Sequence, residues 1–137
     1  MRAGLAVSAG ALALALALPA ISATLPQPKT ENGVTYVTGG IGHDESAAMK
    51  TEAKRYPLSL VFSAGKHDEY VADVKVSIKD KAGKQVLDTV STGPIMLVKV
   101  LAGRYAITAT KDEKTLHRTV QVKAKGDRQV GFHWPKA

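Results

Sequence analysis

From residue 56 onward the chain alternates apolar and polar positions with a period of two, in seven short runs separated by turn residues. That period belongs to half-buried strands, not to helices. Residues 56–63 place Leu58, Leu60 and Phe62 on one face, and residues 73–79 set Val74, Val76 and Ile78 against Lys75, Ser77 and Lys79. Residues 84–90 are less regular, because Val86 and Leu87 are adjacent. Residues 95–100 are apolar on both faces, Ile95 and Leu97 on one and Met96 and Val98 on the other. Residues 104–110 alternate Tyr105, Ile107 and Ala109 with Arg104, Ala106, Thr108 and Thr110. Residues 115–122 carry Leu116, Val120 and Val122 inward, and residues 129–135 carry Val130, Phe132 and Trp134. Between them stand Asp80-Lys81-Ala82-Gly83, Ala102-Gly103 and Gly126-Asp127. Strands at this spacing predict an all-β sandwich domain over residues 56–135.

Residues 24–55 read differently. Two prolines in residues 24–30 predict a flexible leader, Glu31-Asn32-Gly33 a turn, and residues 34–37 a short strand. A glycine-rich turn follows at Gly39-Gly40-Ile41-Gly42, then a short N-terminal helix over residues 43–55. Asp44 is its expected N-cap, Glu45 suits the positive end of its dipole, and Met49 is its main apolar contact. Pro57 ends it. The run at 95–100, oily on both sides, needs cover on both sides. Either this helix or a partner supplies it, which makes Met96 and Val98 the candidate interaction face. The last two runs are expected to form a hairpin, with Val122 opposite Arg128 and His117 opposite His133. Arg118, on the apolar parity, either snorkels at the sheet end or pairs with Asp88.

The first residues change the picture of where the protein works. Met1-Arg2, an Ala/Leu run over residues 5–18, Pro19 and the small residues Ala20, Ser22 and Ala23 have the layout of a secretory signal peptide, residues 1–23. The run is too short for a comfortable membrane span. A periplasmic or secreted protein, not membrane-spanning after cleavage, is expected. Its removal takes one Arg and no acid, so the formal charge falls from +7 to +6. A basic exported domain favours acidic partners: an anionic envelope polymer, or another envelope protein. The absence of cysteine excludes disulfides, thiolate metal sites and thiol catalysis.

Candidate chemistry is sparse. His117 and His133, read as neighbours on one outward face, are the candidate metal ligands, or the residues of a hydrolase, in the alternative reading. A tight zinc or copper site needs further donors, and no HxH or HExxH spacing exists. Asp68-Glu69 and Asp112-Glu113 are turn doublets without a predicted cleft, and no serine stands in a GxSxG elbow. Residues 39–42 match neither a Walker nor a dinucleotide fingerprint, so no cofactor is expected. The basic residues are scattered, with few aromatics among them, so no nucleic acid is expected as a partner.

One stretch carries a resemblance. Val100-Leu101-Ala102-Gly103-Arg104-Tyr105-Ala106-Ile107 resembles the carboxypeptidase regulatory-like domains, in which two prolines commonly precede the glycine where Leu101 and Ala102 stand here. The resemblance covers residues 56–134. It implies a seven-stranded Greek-key sandwich of the transthyretin-like kind, without catalytic residues of its own. The transthyretin-like hydroxyisourate hydrolases end in Tyr-Arg-Gly-Ser, which this chain lacks; it ends Gly131-Phe132-His133-Trp134-Pro135 before its last two residues. The expectation is therefore a non-catalytic periplasmic binding or accessory module, not an enzyme.

Overall fold

The computed structural model describes residues 25–136; the expected signal peptide lies outside them. In chain order the elements are β1 (Lys29–Glu31), β2 (Val34–Gly39), α1 (His43–Glu52), a 3₁₀ turn (Ala53–Arg55), β3 (Leu58–Ala64), β4 (Glu69–Tyr70), β5 (Val74–Asp80), β6 (Gln85–Ser91), β7 (Ile95–Lys99), β8 (Gly103–Lys111), β9 (Lys114–Val122) and β10 (Arg128–Trp134). They form two sheets. The larger has the order β1-β2-β7-β3-β10, with β4 also on β3, and the smaller has the order β6-β5-β8-β9. The seven strands read from alternation are all present, joined by β1, β2 and β4.

The inward residues of both sheets meet in one core. Leu58, Leu60 and Phe62 of β3, Val76 and Ile78 of β5, Ile107 of β8 and Val130, Phe132 and Trp134 of β10 are all buried in it. Phe62 lies 5.8 Å from Phe132 and 6.3 Å from Trp134, ring centre to ring centre, both tilted. Tilted contacts of this kind suit the ring quadrupoles. The Trp134 indole N–H, which cannot be buried unpaired without cost, donates to the Lys114 carbonyl at 3.0 Å.

A second, smaller cluster explains the doubly apolar strand. Met96 and Val98 of β7 point into the core between the sheets, while Ile95 and Leu97 point outward beneath α1. There Met49, Tyr56 and Val37 close over them, with Leu25 and Ala53 at the margin. Burying Met49 stabilises the docked helix by roughly 1.5–3 kcal/mol. The expected interaction face at Met96 and Val98 is thus corrected: both are fully buried by the chain's own second sheet. Among the described residues both clusters are built within residues 25–134, which thus carry a hydrophobic core of their own.

Three further expectations change. Residues 24–30 are not wholly a flexible leader, since Lys29–Glu31 pairs with β2 through a two-residue turn at Asn32 (φ 51°) and Gly33 (φ 80°). Asp44 does not cap α1. The N-cap position is Gly42, no side chain caps the helix, and Glu45 instead accepts from the amides of Gly40 (2.8 Å) and Ile41 (3.2 Å) in the turn before it. The last two strands do not form a hairpin. β9 pairs with β8, and β10 crosses to the other sheet and pairs parallel with β3, Arg128 opposite Leu58 and Trp134 opposite Ala64. A loop of five residues reaches about 16 Å, more than the roughly 10 Å between packed sheets.

Candidate functional site

His117 and His133 are not neighbours. His117 stands opposite Thr108 in the smaller sheet and His133 opposite Ser63 in the larger. Each has the parity opposite to its strand's core residues, so the two side chains leave from the two outer faces of the sandwich. No shared metal site forms from them, and no group of three or more His, Asp or Glu side chains is placed to hold a metal ion among the described residues. His133 instead meets Ser63 and Asp68. The Ser63 hydroxyl lies 3.1 Å and an Asp68 carboxylate oxygen 3.2 Å from the same ring nitrogen, Nδ1. A nucleophilic triad needs the acid on one ring nitrogen and the hydroxyl on the other. Here both compete for one, so the base has no second arm toward the serine.

Arg118 snorkels. Its guanidinium donates to the Gly131 carbonyl at 2.8 Å, across the open side where β9 and β10 face each other. Asp88, on β6 at the opposite edge of the smaller sheet, is not its partner.

The topology gathers what the sequence scatters. Register places the starts of β2, β3, β6, β8 and β10 and the finishes of β5, β7 and β9 at one end of the sandwich. The segments there carry Lys54 and Arg55 before β3, Lys81 and Lys84 in the β5–β6 turn, Lys99 at the end of β7, and Lys123 and Lys125 between β9 and β10 with Arg128 at the start of β10. All of these are exposed. Glu31, Glu52, Asp80 and Asp127 oppose them there, and Glu31 already accepts from the Asp88 amide. The other end reverses the sign, with Asp44, Glu45, Asp68, Glu69, Asp73, Asp112 and Glu113. Among the basic-end cations only Arg55 has an acid within salt-bridge range, Glu52 at 3.9 Å, and Lys99 lies over the Tyr56 ring, 5.3 Å from its centre.

Two shallow concavities open on this end. The larger, about 980 Å³, has Lys79, Lys81 and Arg104 around a floor of small residues that includes Gly83, Ala102 and Ala106. Asp80 is also there, but one of its carboxylate oxygens is occupied by the amides of Ala82 and Lys84, both at 2.9 Å. The smaller, about 200 Å³, is lined by Lys123, Lys125 and Arg128. Gln121 lines both, so they adjoin across the end of β9.

Between the sheets at this end runs the β7–β8 connection, with Leu101 at 85 % exposure. The Tyr105 hydroxyl, behind it, donates to the Leu101 carbonyl at 2.8 Å and fixes the turn. Burial raises the Tyr105 pKa above its ordinary value of 10.0, with the Asp80 charge adding to it. Burial, then Glu52, raises Tyr56 likewise. Both phenols therefore stay protonated donors at neutral pH.

No curated protein matches the chain. Residues 56–133 match the model of the Rhizobiales growth-associated tandem repeat domain. The match begins at the residue that packs beneath α1 and runs through β3–β9 and into β10, taking in the whole smaller sheet and leaving β1, β2 and α1 before it. It covers more than half of the sequence, and the chain belongs to that family.

Proposed function

We propose that the protein is a non-catalytic binding or accessory module of the periplasm, and that its basic end holds a polyanionic component of the envelope. The observation that carries this reading is the set of eight exposed cations that converge on one end and outnumber the four acids Glu31, Glu52, Asp80 and Asp127 beside them. Unpaired surface cations repel one another and contribute little to stability. Their grouping is accounted for by a ligand, not by the fold. Of the concavities that adjoin at Gln121, the larger offers a floor of small residues on which an anionic chain can lie close to Lys79 and Arg104, and the smaller continues it to Arg128. A resemblance to carboxypeptidase regulatory-like domains, which accompany other activities, supports an accessory role.

The test is retention on immobilised heparin as a stand-in polyanion. The wild-type protein should be retained and eluted steeply by salt, because counterions are released on binding. The fourfold variant Lys81→Glu, Lys84→Glu, Lys123→Glu, Arg128→Glu should pass unretained while melting within a few degrees of wild type. Equal elution of the two proteins would sink the reading.

A further inference from the structure

We infer that the polyanion is a bilayer of anionic phospholipid, and that Leu101 is the side chain that enters it. The inference rests on the reading above and adds an apolar element that a soluble polymer would not need. Leu101 is the most exposed large hydrophobic residue described, with Ala102 also exposed beside it. It stands at the tip of the connection between two sheets, at the same end as the cations. A leucine held in water has a standing incentive to leave it. At most surface positions that is unremarkable. Here it coincides with a positive surface, and the pairing of a cationic surface with a projecting apolar residue is the chemistry of interfacial docking.

The turn is also built to present the residue and not to let it fold back. The buried Tyr105 ring anchors the hydroxyl that holds the Leu101 carbonyl. Gly103, at φ 154°, starts β8 directly after, so the tip is short and tied on both sides. Lys99 and Arg104, two and three residues away and both exposed, lie where headgroup phosphates would sit around an inserted Leu101. Their long stems allow the ammonium and guanidinium to stay in the headgroup layer while Leu101 goes deeper. A glycan or other soluble polyanion would engage the same cations and ignore Leu101.

The experiment uses residues 24–137, with vesicles of equal parts phosphatidylglycerol and phosphatidylcholine, vesicles of phosphatidylcholine alone, and heparin. Wild type should sediment with the anionic vesicles and not with the neutral ones. Leu101→Ala and Leu101→Ser change no charge and touch no core contact. They should weaken vesicle binding about tenfold, the loss expected for withdrawing a leucine side chain from the apolar layer, and leave heparin elution unchanged. Leu101→Trp should shift its fluorescence to the blue on adding anionic vesicles, against the constant signal of buried Trp134. If both small variants bind anionic vesicles as wild type does, insertion of Leu101 is refuted; if wild type is retained on heparin but does not sediment with anionic vesicles, a soluble polyanion is the ligand and the inference falls. If wild type binds neither anionic vesicles nor heparin, the polyanion reading falls as well.

Discussion

At the acidic end of the sandwich, carboxylates hold backbone and neighbours in place. Glu45 ties the amides of the glycine turn, and Asp68 meets His133. At the basic end the cations hold almost nothing: Arg55 reaches Glu52 only at 3.9 Å, and among the described residues the lysines of the β5–β6 turn and the β9–β10 loop have no acid within salt-bridge range. Both ends are made of short connections between the same strands. The difference is that charge at one end is spent on local structure, while charge at the other is left over. Leftover charge is where a binding surface should be sought.

Three changes probe that contrast, in order of size. The largest is Gly93→Ala at the acidic end. A Cβ there would collide with the backbone carbonyl of Gly39, where the β6–β7 turn passes against β2. Neither side is a movable side chain, so a loss of about 3 kcal/mol is expected, read from urea denaturation. Heparin retention of the folded fraction should not change. A loss of retention without a loss of stability would break the contrast.

Next is Tyr105→Phe at the basic end. It removes the hydrogen bond to Leu101, a loss of about 1 kcal/mol. Because the folded pKa of Tyr105 lies above the unfolded value near 10, its contribution is complete below pH 10 and fades as pH rises through the folded value. Wild type should therefore lose stability above about pH 10, and the Phe variant should lose less. Denaturation midpoints measured from neutral to alkaline pH decide it. The same variant loosens the tip and should weaken binding to anionic vesicles more than binding to heparin.

The smallest is the double change Asp112→Asn, Glu113→Gly. These two residues turn β8 into β9 with φ values of 50° and 66°, a conformation that costs most side chains and suits Asn-Gly. A gain of about 0.5 kcal/mol is expected, with retention on heparin unaffected or slightly raised. A clear drop in retention would assign the acidic end a part in binding.

Much of the fold was legible. The seven strands follow from alternation at residues such as Val74, Val76 and Ile78, because burial of one face overrides most local preferences. Alternation says which side chains face inward, but it does not say which strand is the neighbour. Val120 and Val130 are inward in either pairing, so the crossing of β10 to the larger sheet left no mark in the pattern. The doubly apolar run at Ile95–Lys99 showed that two covers were needed. It could not show that Met96 and Val98 face the deeper one. The basic end was least legible. Its cations come from four segments separated by whole strands, and only the closing of the two sheets brings Lys54, Lys81, Lys99 and Lys125 to one place. Leu101 stood in plain view within the family-like stretch, as the residue before Ala102-Gly103. Nothing in the chain alone marked it as a projecting tip.

The parallel pairing of β10 with β3 has an arithmetic of its own for a family of tandem repeats. Because the first and last strands of the unit run the same way, polypeptide enters at one pole and departs from the other. In this unit the pole of arrival carries the cations of the β5–β6 turn and the β9–β10 connection, and the pole of departure carries Asp68, Glu69, Asp112 and Glu113.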